Sequence, residues 1–95
     1  MTSGPRVPRR ALGVRVRLVA GNLVLGVDAE GMELADVAKL IYESADGRNS
    51  VSDIAGIVAA EYGAEPEEVG EDVTEFLDEL AASGVVEWVT EESPR

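Results

Sequence analysis

Carboxylates are the residues with the most chemical potential in this chain, and their spacing is helical. Glu68 and Asp72, and likewise Glu71 and Glu75, stand four residues apart, close enough on one helix face to share a Ca²⁺ or Mg²⁺. No EF-hand loop or other dedicated metal spacing surrounds them, so they read as a solvated face and no metal site is assigned. Ser50 and Ser52 are the candidate nucleophiles, but the chain has no histidine to activate them. It also has no cysteine, which removes thiol chemistry, disulfides and thiolate metal sites. Phosphate-binding glycine motifs of the G-x-x-x-x-G-K-[ST] and G-x-G-x-x-G kinds are missing too. Capping therefore explains Ser50 better than catalysis does, and the chain reads as a non-enzyme with no cofactor.

The elements that must carry these side chains follow from periodicity. Residues 1–11 hold two prolines and a glycine without a period and read as a flexible arm. Val14, Val16 and Leu18 alternate with Arg15 and Arg17 as in a half-buried strand. Gly21-Asn22 reads as a two-residue hairpin turn into a second strand over 23–27. A turn over 28–31 then leads to a short third strand over 32–34. Leu34, Val37, Ala38, Ile41, Tyr42 and Ala45 mark one face of a first helix, stopped by Asp46-Gly47. Ser50 and Asp53 form an acidic capping box for a second helix, whose apolar face is Val51, Ile54, Ala55, Val58 and Tyr62 and which Gly63 ends.

Pro66 opens the third helix, with Glu67 and Glu68 favoured by its N-terminal dipole. Val69, Val73, Phe76, Leu77, Leu80 and Ala81 form its apolar stripe and Gly84 closes it. Residues 85–89 read as a last strand and 90–95 as a tail. The fold class predicted is α+β and winged-helix-like, a three-stranded antiparallel sheet followed by three helices, with one folded domain over 12–89.

Charge narrows the partners. Five of the eight basic residues lie at or before Arg17, and all nineteen acidic residues come later. Eight acidic residues and no basic one lie between Glu65 and Glu79, so the last helix of this winged-helix pattern repels a phosphate backbone. Nucleic acid and anionic membrane are thus set aside. No apolar run reaches the roughly 20 residues of a membrane span, and Arg15 and Arg17 interrupt any signal-peptide core, so a cytoplasmic protein is expected. An acyl carrier protein would share the size and acidity. Asn49-Ser50-Val51-Ser52 lacks the Asp-Ser-Leu context of a phosphopantetheine serine, however, and the leading strands do not belong to that fold.

The stretch Leu34-Ala35-Asp36-Val37-Ala38-Lys39-Leu40-Ile41-Tyr42-Glu43-Ser44-Ala45-Asp46-Gly47 resembles the first helix of PqqD-like proteins. Ser50-Val51-Ser52-Asp53-Ile54-Ala55 through Glu61-Tyr62-Gly63 resembles their second. Pro66-Glu67-Glu68-Val69 through Phe76-Leu77 to Gly84-Val85-Val86-Glu87 resembles their third. Ala35 stands where that family often has Asn, and Tyr42 where Trp is frequent. The resemblance implies a peptide chaperone, a recognition element for ribosomally made, modified peptides in pyrroloquinoline quinone or lasso-peptide biosynthesis. It implies that a precursor's leader adds as a strand between the third strand and the third helix. Gly31, Met32, Glu33, Leu34, Val69, Asp72, Val73 and Phe76 are the peptide-binding residues this suggests. Its partners would be the leader and a modifying enzyme, a radical-SAM maturase or a leader peptidase, with the domain a monomer or weak dimer. The alternative is an acidic winged-helix adaptor that docks on a protein without a leader peptide.

Overall fold

A computed structural model describes residues 6–27 and 30–89. In chain order the elements are β1 (Pro8–Arg10), β2 (Arg15–Val19), β3 (Asn22–Val27), β4 (Glu30–Leu34), α1 (Asp36–Ser44), α2 (Val51–Tyr62), α3 (Pro66–Ala82) and β5 (Val86–Trp88). The three-stranded antiparallel sheet followed by three helices is present as β2-β3-β4 and α1 to α3. Leu23 and Leu25 of β3 and Leu34 of β4 face the helices and are buried with Ile41, Tyr42, Ile54, Val73, Leu77 and Leu80.

The arm is where sequence and structure part most clearly. Pro8–Arg10, read from the sequence as part of an aperiodic arm, is a strand paired antiparallel with β5, Pro8 opposite Trp88 and Arg10 opposite Val86, while residues 1–5 of the arm lie outside the described residues. Proline is tolerated as the first residue of such a strand because its missing donor leaves no gap in the ladder. Further bonds fasten this segment, from Arg10 N–H to Ala45 O at 3.1 Å and from Gly47 N–H to Pro8 O at 2.9 Å. Arg6 lies 3.8 Å over the Trp88 ring and 3.1 Å from the Asp78 carboxylate. The last strand therefore closes a separate two-stranded ribbon with the arm and does not extend the main sheet. The tail over 90–95 lies outside the described residues.

Three smaller corrections concern the hairpins. Val19 pairs with Asn22, so the turn is Ala20-Gly21 and not Gly21-Asn22. Both turn residues have positive φ, 53° and 86°, as a type I′ turn demands. Alanine is strained there, and Ala20→Asn is expected to raise unfolding stability by about 0.5–1 kcal/mol in urea titration. The third strand starts at Glu30 instead of Met32, because Gly31 and Glu30 continue the pairing with Gly26 and Val27. Finally, β2 is exposed along its whole length instead of half-buried, since no helix covers it.

The helices match their local signals. Ser50 Oγ accepts from Asp53 N–H at 3.0 Å and the Asp53 carboxylate accepts from Ser50 N–H at 2.9 Å, the reciprocal capping box. Gly63 ends α2 in the left-handed conformation at φ 67°. Tyr62, placed on the apolar face by its spacing, is exposed at the C-terminal end of α2. Ala35 gives α1 no side-chain cap; its carbonyl instead accepts from Ala38 N–H at 3.0 Å. Between α1 and α2 the Asp46 carboxylate accepts from the backbone N–H groups of Asn49 and Arg48, which hold its pKa below the ordinary value.

Candidate functional site, a groove between two helices beside an open strand

The rotation of α3 decides what its stripe does. Val73, Leu77 and Leu80 point into the core, while Val69 and Phe76 are half-buried and Asp72 is exposed. The apolar stripe is wider than the contact α3 makes with the core, so one flank is left over. That flank faces α1. Val69, Asp72, Val73 and Phe76 of α3, Val37, Ala38 and Ile41 of α1, and Val58 of α2 enclose a groove of about 270 Å³. Its walls are aliphatic or aromatic apart from the Asp72 carboxylate. All four α3 residues singled out from the sequence are thus brought together.

The four strand residues sit elsewhere. Gly31 and Glu33 are exposed, Met32 is half-buried against the core and Leu34 is buried, and none of them lines the groove. The wall expected from the third strand is supplied by α1, which begins two residues after Leu34. Val37, Ala38, Ile41 and Val58 were read from the sequence as core. Only their place just after the edge strand hinted otherwise for the first two. Val37 is 37% exposed, which is what a groove wall needs.

The register fixes which backbone groups of β4 are open. In a two-residue hairpin the closing pair is hydrogen-bonded, and bonded pairs then alternate along the strands. With Val19 and Asn22 as the closing pair, Asn22, Val24 and Gly26 bond towards β2, so Leu23, Leu25 and Val27 bond towards β4. Their partners Leu34, Met32 and Glu30 spend their N–H and C=O groups inside the sheet. Gly31 and Glu33 present theirs outward, because β4 has no neighbour on that side among the described residues. The Glu33 carboxylate is steadied by the Asn22 side-chain amide at 2.8 Å. Proline at position 32 would therefore break the sheet itself, and proline at 31 would remove an open donor.

An edge strand with free backbone groups can accept an extended peptide, and the apolar groove that includes Val37, four residues after Glu33 in the chain, can take its side chains. Among the described residues no three acidic side chains converge on a point that could hold a metal. Residues 23–86 match the family model described as coenzyme PQQ synthesis protein D (PqqD). The chain belongs to the PqqD family. It is 35% identical over 89 residues to the PqqA binding protein of Rhizobium meliloti, covering 92% of this chain and 91% of that one. It is 38% identical over 87 residues to the bifunctional coenzyme PQQ synthesis protein C/D of Methylorubrum extorquens, covering 90% of this chain but only 23% of that longer protein. The solution NMR structure of the PqqD truncation of Methylobacterium extorquens PqqCD is described as a functional, stand-alone recognition element for ribosomally synthesised, post-translationally modified peptides. It superposes with a TM-score of 0.71 at 36% identity, covering 85% of this chain and 88% of that one. The PqqD match begins at Leu23, so β1 and β2 lie outside it.

Proposed function

We propose that this PqqD-family chain is a non-catalytic chaperone that captures the leader of a ribosomally made precursor peptide and presents it to a modifying enzyme. The leader adds as a strand along β4 and sets apolar side chains into the groove between α1 and α3. The observation that carries this reading is the pairing of an open edge at Gly31 and Glu33 with an apolar groove only a few residues further along the chain. At about 270 Å³ the groove is smaller than the roughly 300–1,000 Å³ of drug-sized ligand sites, and it suits one or two side chains. The similarity to a PqqA binding protein and to a stand-alone recognition element supports a peptide as the occupant. The lack of histidine and cysteine supports binding without chemistry. No described helix is long and apolar enough to cross a membrane, and the cytoplasm, where precursors are made, is the proposed site of action.

Charge adds selectivity. Asp72 in the groove and Glu33 on the strand favour leaders carrying Lys or Arg. Calorimetric titration with the cognate leader is expected to show binding that weakens as salt rises. No binding would instead favour the adaptor without a leader. Gly31→Pro is expected to weaken the leader by about 1 kcal/mol, roughly fivefold, through loss of one backbone hydrogen bond. A built Cβ at Gly31 meets nothing nearer than Val24 Cγ1 at 3.6 Å, so the side chain itself fits.

A further inference from the structure

The opposite edge of the sheet carries the reverse chemistry. Val16 and Leu18 lie on the same face as Leu25 and Leu23, yet they are 46% and 64% exposed, because the helices stop short of β2. Leu12, in the turn just before β2, is 93% exposed. Beside this row lies a trough of about 420 Å³, lined by the apolar Leu12, Val14 and Val16 and by Tyr42, with Arg9, Arg10 and Asp46 also on its wall. On the other face of β2 stand Arg15 and Arg17, which make no ion pair among the described residues. By the register argued above, Val16 and Leu18 also turn their N–H and C=O groups outward.

We propose that β2 is a second docking edge, for a protein partner offering an extended segment in which acidic and apolar side chains alternate. Added as a strand, such a segment places its apolar residues beside Val16 and Leu18 and its carboxylates beside Arg15 and Arg17. Charged side chains on an edge strand also discourage aggregation, but that role leaves the overhanging leucines unexplained. A second copy of this chain is the wrong occupant. Antiparallel pairing of β2 with itself about Val16 or Arg17 sets arginine against arginine, and like charges directly opposite destabilise a ladder; pairing about Leu18 avoids that but joins only residues 17–19 of the strand. Nucleic acid would use the arginines but not the open backbone or the apolar row, and the net charge of −11 opposes it.

The two edges thus select for opposite charge, with β4 and α3 acidic and β2 basic. The proposal goes beyond leader capture and is tested apart from it. The full chain, ¹⁵N-labelled, is titrated with two capped seven-residue peptides, one alternating Glu and Val and one alternating Lys and Val. The Glu–Val peptide is expected to move the amide signals of residues 15–19 and to bind there about tenfold more tightly than the Lys–Val peptide. In the Arg15→Glu/Arg17→Glu variant that preference is expected to reverse, while leader affinity stays within twofold. Both positions are exposed, so the fold should survive. The proposal is overturned if the Glu–Val peptide moves no signals in β2, if both peptides bind there equally, or if the variant keeps the original preference. Loss of leader binding with β2 behaviour intact would count against the leader reading alone.

Discussion

Val37→Glu is expected to weaken leader binding by about 2 kcal/mol, roughly 30-fold, with little change in melting temperature. The side chain lines the groove and is partly open to solvent, so in the free protein a carboxylate can turn outward into water. With a leader side chain seated against α1, that carboxylate loses its solvent and finds no cationic partner on the groove wall. Burial of an unpaired charge then sets the penalty. Calorimetry with the leader, alongside a thermal melt, separates the two effects. Undiminished affinity would place the apolar anchor somewhere other than this groove.

Leu77→Ala is expected to destabilise the domain by about 3 kcal/mol, read as a shift of roughly 12–24 °C in melting temperature. Leu77 has no measurable exposure and belongs to the core cluster that also holds Leu25, Ile54 and Val85. Truncation leaves a cavity where α3, α2 and the sheet converge, and neighbours on rigid elements can close it only partly. For a domain of this size the loss is a large share of a total of about 5–10 kcal/mol. Leader affinity of the molecules still folded should stay near that of the unaltered protein, because Leu77 does not line the groove. A loss below 1 kcal/mol would mean that the core is looser than its burial implies.

Local signals were the legible ones. The Ser50–Asp53 box, Pro66 at the start of α3, and Gly63 and Gly84 at helix ends each act within one turn, and each appears where the sequence places it. Features that depend on distant partners were hidden. β1 has three residues, too few for a visible period, and its partner strand lies almost eighty positions away. Alternation in β2 marked which residues share a face but could not say whether anything covers that face. The stripe of α3 showed which residues are apolar. Only the position of α1 separates the core residues Leu77 and Leu80 from the groove residues Val69 and Phe76. The resemblance joined strand and helix into one site. In the structure the α3 residues line a groove whose opposite wall is α1, and β4 is a separate open edge among the described residues.

On the proposed reading, one peptide uses that edge and that groove together. An amide chemical-shift map of the full chain, titrated with the cognate leader peptide, tests it. Saturable shifts are expected in two stretches at once, residues 31–34 and residues 69–76, joined by Val37 and Ala38. Shifts confined to β2, or the absence of any shift at the β4 edge, would contradict it.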